Sequence, residues 1–418
     1  MNISSERRPV FRPLPRSRDG VVDARKHPAD WSLHAWATLL CVATSLLACS
    51  SHANENRLSY EIEAGYEFND NVRLRQGAQE IEISGGKIAV PVNFESRTER
   101  FLGEIIGRVE LSRFDQSEYD SDDQRLEGRA RYKLERGNIQ GYGLINRDTT
   151  RDSEFLDTGI VGLSASRREA FETGGEWDYL FTERHGLLAK IDYTDVTFEA
   201  ERLQDFEFAE ADLGWIFQAS DRFRWEIAAH ANRIETDEFF NNLSEGIGFK
   251  AGLRAETSER SRLKLLAGWI SVDTEYDPEF NLNLSDTTTE TYLIDANYRY
   301  EGERYDLTAA WISAPLPSGN GGFQTTDQLT LRYRYKLAER SRLIFDLVGG
   351  RRAILDERIN NDRDYVRAGV RVEFGLSESL VLSGRYIYSR QDRENTPGTA
   401  TSNEVRLSLV YRPRASIW

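Results

Sequence analysis

The 418-residue chain has a net charge of −15 at pH 7 and a sequence pI near 5.1, which argues against nucleic acid as a partner. Only 39% of its residues are hydrophobic, yet 11% are aromatic, which is poor material for a large soluble core. The same balance suits a membrane wall in which alternate residues face lipid and aromatic rings gather at the two interfaces.

The N-terminal segment has the three parts of a secretory signal. Residues 1–30 are rich in Arg, Lys and Pro, residues 36–47 form a short apolar run, and Ser51-His-Ala53 is a small-x-Ala end. We therefore predict cleavage between Ala53 and Asn54, so that residues 1–53 are a leader with a long basic region and residues 54–418 are the barrel. An alternative is a lipid anchor on Cys49, which ends a lipobox-like Leu-Leu-Ala-Cys sequence.

Removal of this leader leaves little material for metal or nucleophilic chemistry. Both cysteines, Cys41 and Cys49, lie within it, and only His185 and His230 of the five histidines lie beyond it. We expect no disulfide, no thiolate metal site and no cofactor in the remainder. No later run approaches the ~20 apolar residues of a transmembrane helix.

From residue 60 onward, apolar and polar residues alternate with the period of a β-strand. The first such segment sets Tyr60, Ile62, Ala64, Tyr66 and Phe68 against interleaved Glu and Gly residues, and similar segments recur to the end of the chain. The last one sets Val405, Leu407, Leu409 and Tyr411 against Glu404, Arg406 and Ser408.

The connections between these segments alternate between short turns and longer polar loops. Short turns are predicted near residues 136–138, 183–186, 219–221, 258–262, 301–303, 338–342 and 376–379, and long loops at residues 115–123, 274–290, 313–327 and 390–403. Seventeen clear segments and a weak one near residues 81–94 give eighteen strands; without the weak one, the count falls and two successive strands would run the same way. Outer-membrane barrels place tight turns on the periplasmic side and longer loops outside.

No helical stretch is available to cover the apolar faces of these strands, whereas lipid can cover them. A closed barrel is the only sheet that satisfies its backbone in lipid. The sequence therefore predicts an all-β fold, a transmembrane antiparallel barrel of about 18 strands in the outer membrane of a Gram-negative bacterium, in contact with lipid and lipopolysaccharide. A soluble sandwich or propeller is the alternative, but it would rarely carry Trp and Tyr at strand ends on the apolar face.

The polar faces of the strands then line the lumen, where charges of both signs are predicted. Arginine is denser in the C-terminal half, and the candidate solute contacts are Arg332, Arg334, Arg367, Arg371, Arg385 and Arg406. Acidic residues dominate earlier strands, at Glu172, Glu176, Asp178, Glu210 and Asp212. One interpretation is a transverse field that orients a polar or anionic solute; the other is mutual neutralisation of charges along the wall.

Other chemistry has weaker sequence support. The acidic clusters in residues 115–123 and 273–286 could bind Ca²⁺, but no Asp-x-Asp-x-Asp-Gly loop is present. His230 lies on the polar face of its strand, yet there is no Gly-x-Ser-x-Gly and no His-x-x-x-His sequence. We predict neither an enzyme nor a specific metal site.

The end of the first strand carries a short motif, formed by Tyr66, Phe68, Asn69, Asp70, Asn71 and Val72 with Glu67 between. This motif resembles the N-terminal signature of the β-barrel porin 2 family, in which an early strand ends in an aromatic, an acidic residue, Asp-Asn and Val. The resemblance implies an outer-membrane barrel often associated with exopolysaccharide biosynthesis and export. One departure is the C-terminus, where Pro413 interrupts the strand before Trp418.

The resemblance predicts a porin-like conduit or accessory protein for exopolysaccharide secretion, with exopolysaccharide and periplasmic export components as partners. Two alternatives remain at this stage. One is a general diffusion porin for small polar solutes, and the other is a structural surface barrel with a plugged lumen.

Overall fold

The computed structural model describes residues 55–150, 166–200, 203–236, 242–276, 286–319, 322–355, 362–394 and 396–417. Nearly all of these residues belong to one antiparallel sheet. Its strands are β1 (Glu55–Tyr60), β2 (Ile62–Asn69), β3 (Ile83–Arg97), β4 (Phe101–Phe114), β5 (Ser121–Lys133), β6 (Gly137–Thr149), β7 (Arg167–Leu180), β8 (His185–Phe198), β9 (Phe206–Ser220), β10 (Phe223–Thr236), β11 (Asn242–Ser258), β12 (Ser261–Tyr276), β13 (Thr287–Glu301), β14 (Tyr305–Pro317), β15 (Phe323–Ala338), β16 (Ser341–Ile354), β17 (Arg363–Gly375), β18 (Leu380–Arg393), β19 (Thr396–Tyr411) and β20 (Ser416–Ile417).

The sheet closes into a barrel because β19 pairs with β2, from Tyr411 opposite Ile62 to Glu404 opposite Asn69. β1 and β2 occupy one position in the wall, since both pair with β3 and only Glu61 separates them. The described barrel therefore has eighteen strand positions, which confirms the predicted number. The weak segment predicted near residues 81–94 is β3.

The C-terminal end continues the wall after a short interruption. Beyond Tyr411 the ladder breaks at the proline, and pairing resumes where Ser416 and Ile417 lie opposite Leu58 and Arg57 of β1. β19 thus ends at Tyr411, and the short strand β20 resumes the pairing beyond the proline. Trp418 and the predicted cleavage site at Ala53 and Asn54 lie outside the described residues.

Two predicted long loops are wrong for most of their length. Within residues 313–327, β14 continues to Pro317 and β15 begins at Phe323. Within residues 390–403, β18 continues to Arg393 and β19 begins at Thr396. The polar composition of both stretches is typical of loops, but strand residues that do not face lipid need no apolar side chain. Alternation therefore fades while the ladder continues.

The outer surface of the barrel is apolar and largely exposed, as a lipid-facing wall must be. Aromatic side chains stand exposed near the short turns, at Tyr132, Trp177, Trp215, Trp225, Tyr305, Phe374 and Tyr411, and again toward the long loops, at Trp269, Tyr292 and Trp311. Between them lie exposed aliphatic residues such as Ile191, Leu213 and Ile227. The chain is thus an outer-membrane β-barrel.

Among the described residues, no helix combines the length and the apolar character needed to cross a bilayer.

Candidate functional site

The interior of the barrel is the candidate functional site, and strand alternation defines which residues line it. On β10, Glu226, His230 and Asn232 are buried on the inner face, whereas Trp225 and Ile227 are exposed on the outer face. The same alternation on the other strands turns most charged side chains inward.

The upper part of the lumen, toward the long loops, departs from the predicted polar lining. Apolar side chains there form a buried cluster on the inner faces of several strands: Ala170, Val196, Phe206, Phe208, Ile234, Ile270, Val272, Leu293 and Phe323, with Phe198, Ala314 and Leu355 packed against it. Alternation along a single strand could not reveal this cluster, because its members come from several strands and from a hairpin tip that brings Phe323 to them.

The tip of the β14–β15 hairpin reaches this cluster by bending into the lumen. β13 and β14 pair only as far as Ile294 opposite Ser313, although β13 begins at Thr287. At the tip, the Gly319 carbonyl accepts a 2.8 Å hydrogen bond from the Gln204 backbone N–H, in the connection between β8 and β9.

An aromatic contact fixes the same hairpin to a distant strand. The Phe323 ring meets the Phe208 ring of β9 edge to face, with centroids 6.0 Å apart. Since β9 and β15 are not neighbours in the sheet, this contact crosses the barrel interior. The hairpin therefore narrows the mouth on that side.

Below the apolar cluster, one wall of the lumen carries a network of paired charges on β8 to β11. The Lys190 ammonium lies 2.5 Å from Asp192 and 2.6 Å from Glu210. Asp212 accepts from both the His230 ring, at 2.7 Å, and the Lys250 ammonium, at 3.0 Å. Such pairs neutralise one another, so His230 serves here as a hydrogen-bonded wall residue.

Two predicted acidic residues of the neighbouring strand β7 are compensated in the same way. Glu176 lies 3.2 Å from Arg254, and Asp178 lies 3.6 Å from Arg224. Glu172 is on the inner face of β7, opposite Thr194 of β8.

The wall formed by β17, β18, β19 and β2 is richer in arginine. Arg371, Arg385 and Arg406 lie directly opposite one another in the registers of three successive strands. Arg406 is paired with Glu67 at 2.5 Å and with Glu404 at 3.2 Å. Three guanidinium groups in one row form a basic ladder, a term used below for these three residues.

The six arginines predicted from the sequence all lie on the inner wall, but they differ in their partners. Arg332 lies 2.6 Å from Asp346, Arg334 3.6 Å from Asp306, and Arg367 3.8 Å from Glu404. Arg371 lies 4.0 Å from Glu373. Among the described residues, no carboxylate lies within 4.0 Å of the Arg385 guanidinium, which makes it the least compensated of the six.

The motif found at the end of the first strand has two parts. Tyr66 and Phe68 are on the lipid-facing side of β2, and Tyr66 is exposed. Asn69, Asp70 and Asn71 turn the chain beside β19, where Asp70 accepts bonds of 2.7 Å from both the backbone and the side chain of Asn403. Val72 packs at the edge of a small cluster formed by Ile83, Phe114 and Tyr119.

The acidic residues between β4 and β5 are engaged in local bonds instead of forming a cation site. Asp115 accepts from the Ser84 and Gln116 backbone N–H groups, each at 3.0 Å, and these bonds lower the pKa of its carboxyl. Asp120 accepts from the Phe114 N–H at 2.7 Å, and Asp122 is paired with Arg167. In the part of the chain that the structure describes, no group of three or more His, Cys, Asp or Glu side chains could hold a metal ion.

Comparisons with known proteins find solved structures of similar fold, at low TM-scores and low sequence identity. No protein-family profile matches the chain, so the resemblance to the β-barrel porin 2 family finds no support there, and no curated protein sequence matches. Solved structures similar to it include Acinetobacter baumannii OccAB3 (TM-score 0.39, 11% identity, covering 87% of this chain and 99% of that one), Pseudomonas aeruginosa OpdQ (0.40, 12%, 86% and 97%) and a BenF-like porin from Pseudomonas fluorescens Pf-5 (0.41, 11%, 86% and 98%). The function is therefore inferred from the geometry of this barrel.

Proposed function

We propose that the protein is a passive outer-membrane channel for small polar solutes, with a preference for anions, and that it performs no covalent chemistry. The observation that supports this most directly is the basic ladder on adjacent strands. Arg385 lies at its centre with no carboxylate among the described residues within 4.0 Å, so a passing anion can contact it without first breaking an ion pair. A guanidinium binds carboxylate or phosphate oxygens through a planar pair of donors.

The opposite wall of the lumen is consistent with this proposal. Its carboxylates at Asp192, Glu210 and Asp212 are held by Lys190, Lys250 and His230 at short distances. These compensated pairs attract a permeating cation less than isolated carboxylates would. Compared with these compensated carboxylates, the Arg385 guanidinium is the less neutralised charge.

The narrowed mouth favours small solutes over a polymer. The β14–β15 hairpin crosses part of the mouth and packs Phe323 against Phe208. The aromatic rings near the mouth, Phe206, Phe208 and Tyr365, are buried, so they offer no surface on which a sugar chain could stack; Tyr142, exposed in the lumen, donates instead to Asp192 at 2.8 Å. We therefore prefer a small-solute channel to the conduit for exopolysaccharide expected from the resemblance.

Conductance and selectivity in planar bilayers test the proposal. We expect stable single-channel currents. In a KCl gradient, we expect a reversal potential with the sign of the chloride equilibrium potential, as for an anion-selective channel. Arg385→Gln should move that potential toward the potassium value, because it removes the cation that has no nearby counter-charge. Arg260→Gln, in a short turn where Arg260 pairs with Glu303 at 2.9 Å, is the matched control and should leave the potential unchanged.

Two outcomes would contradict the proposal. A folded barrel without any conductance would favour the structural surface barrel with a plugged lumen. A conducting barrel whose selectivity is the same in Arg385→Gln and the unmodified protein would show that the basic ladder does not line the ion path.

A further inference from the structure

The connection between β2 and β3, residues 70–82, folds against the inside of the barrel. Leu74 is buried and packs with Tyr365 and Ala400, and Val348 lies against the same group. These three partners are on the inner faces of β17, β19 and β16. The Leu74 carbonyl also accepts a 3.0 Å hydrogen bond from the Gln391 side-chain amide on the inner face of β18. This connection, called the β2–β3 loop below, thus spans the upper ends of four strands from inside.

Asn71 holds the loop in this position and is almost fully buried. Its side-chain amide donates to the Arg75 carbonyl at 2.7 Å and to the Thr401 carbonyl at 2.8 Å. Its side-chain oxygen accepts from the Arg75 backbone N–H at 3.0 Å. One side chain therefore closes the turn of the loop and fastens it to β19.

A second asparagine completes the attachment. The Asn69 side-chain oxygen accepts from the Asn71 backbone N–H and from the Ser402 hydroxyl, each at 2.9 Å. Further along, Gly398, with φ +108°, leaves room for the Gln76 side chain, whose oxygen lies 3.0 Å from where a Cβ would be placed. The loop therefore follows the inner side of β19 over several residues.

Leu74 has a backbone conformation that a leucine rarely adopts. Its φ is +43°, the only positive φ of a non-glycine residue in the described chain. This left-handed conformation is unfavourable for a leucine, because it brings the Cβ atom close to the following carbonyl oxygen. Such strain persists only where the surroundings enforce it, and it is found preferentially at functional sites. Here the strain turns the Leu74 side chain against the inner wall, where it packs on Tyr365 and Ala400.

We propose that the β2–β3 loop, fastened by Asn71 and anchored to the inner wall by Leu74, is a size-limiting constriction of the channel. The inference rests on the proposed function and assigns this role to a segment other than the β14–β15 hairpin. The two segments narrow different parts of the mouth: Leu74 covers the inner faces of β16 to β19, whereas the hairpin contacts β9.

Two variants remove the two attachments of the loop separately. In Leu74→Gly the apolar anchor is lost while glycine readily adopts the left-handed backbone, so any effect comes from the lost packing and not from the turn. In Asn71→Ala the bonds to Arg75 and Thr401 are lost and the loop is released. Both variants should shift single-channel conductance above the wild-type distribution and allow larger neutral sugars into proteoliposomes in swelling assays.

The matched control is Thr98→Ala at the short-turn end of the barrel. The Thr98 hydroxyl accepts from the Arg100 and Phe101 backbone N–H groups, so this variant also loses turn bonds, but far from the mouth. Its conductance and sugar size limit should equal those of the wild type. Unchanged conductance and size limit in both loop variants, with β-sheet circular dichroism retained, would overturn the proposal.

Thiol labelling keeps the inference testable if the wild-type barrel does not conduct. Ala400 is buried under Leu74, and no cysteine occurs after Cys49, so Ala400→Cys introduces a single reporter into the barrel. A maleimide reagent should label this cysteine slowly in the wild-type background and rapidly with Asn71→Ala or Leu74→Gly. Equal labelling rates would show that the β2–β3 loop does not cover Ala400, and would refute the inference. A clear difference in labelling rates without any conductance would refute only the channel proposal.

Discussion

Lys87 lies in a charge cluster on the inner wall where strand β3 meets its two neighbours. Its ammonium is paired with Glu110 of β4 and lies 4.0 Å from Glu67 of β2, and all three side chains are buried. A buried ion pair that loses one partner leaves an uncompensated charge in a poorly solvated site. Lys87 therefore contributes to stability because of the carboxylates that surround it.

Lys87→Met should lower the free energy of unfolding by about 1–3 kcal/mol, since Glu110 and Glu67 lose their shared cation but keep Arg108 and Arg406, each at 2.5 Å. Urea unfolding in lipid vesicles measures the change. The double variant Lys87→Met with Glu110→Gln is the control. It removes one of the two carboxylates that lost the Lys87 ammonium, so it should recover part of the lost free energy of unfolding. No difference between the single variant and the wild type would show that water screens the cluster.

At the scale of single residues, the sequence predicted which side chains point into the lumen, but not which side chains they contact. The period of two placed Arg385 and Arg406 on the inner wall, together with the other four arginines. The register between strands decides which arginine has no carboxylate nearby. A one-residue change in register would move every side chain of a strand to the other face of the sheet. The role of Asn71 was also not readable, because its partner Thr401 lies 330 residues away in the chain.

At the scale of elements, hairpin order was predictable because short turns and long connections alternate. Inward bending of a hairpin was not predictable. It depends on contacts such as Phe323 with Phe208, and both residues occur in segments of ordinary composition. The polar composition of residues 313–327 even suggested a loop, whereas β14 and β15 pair up to Pro317 opposite Phe323.

Phe323→Ala should release the tip of the β14–β15 hairpin. Truncating a buried Phe to Ala costs about 3 kcal/mol at the lower end of the usual range, and this cost falls on the contact that holds the tip against β9. Limited proteolysis of the folded protein in micelles measures the effect, because cleavage follows the population of the open tip when closing is fast. We expect faster cleavage between β14 and β15.

The control for this variant is Phe181→Ala, which removes an exposed aromatic side chain near a short turn. It should not change cleavage between β14 and β15. If Phe323→Ala is cleaved no faster than Phe181→Ala, the tip is held by backbone contacts, such as the Gln204–Gly319 bond, and not by the aromatic pair.

At the scale of the whole molecule, lipid supplies the second layer that a soluble sheet would need from protein. Alternation predicted the closed barrel because only one face of each strand is apolar, and closure leaves no unpaired edge in the bilayer. The closing pair of β2 and β19 also brings Arg406 against Glu67 at 2.5 Å, as expected for opposite charges on adjacent strands. What alternation cannot specify is how far the interior is filled, since inward-folded segments leave the lipid-facing pattern intact.

A charge placed on the lipid-facing belt tests this view of the whole barrel. Leu213 is 64% exposed and lies midway along the apolar face of β9, so Leu213→Arg should destabilise the protein by about 2–4 kcal/mol in vesicles. Leu337→Arg, at the end of β15 beside a short turn, should cost only about 0–1 kcal/mol, because an interfacial arginine reaches water. Equal small losses at both positions, or a barrel that remains folded and monodisperse in buffer without detergent, would mean that the apolar face does not meet lipid.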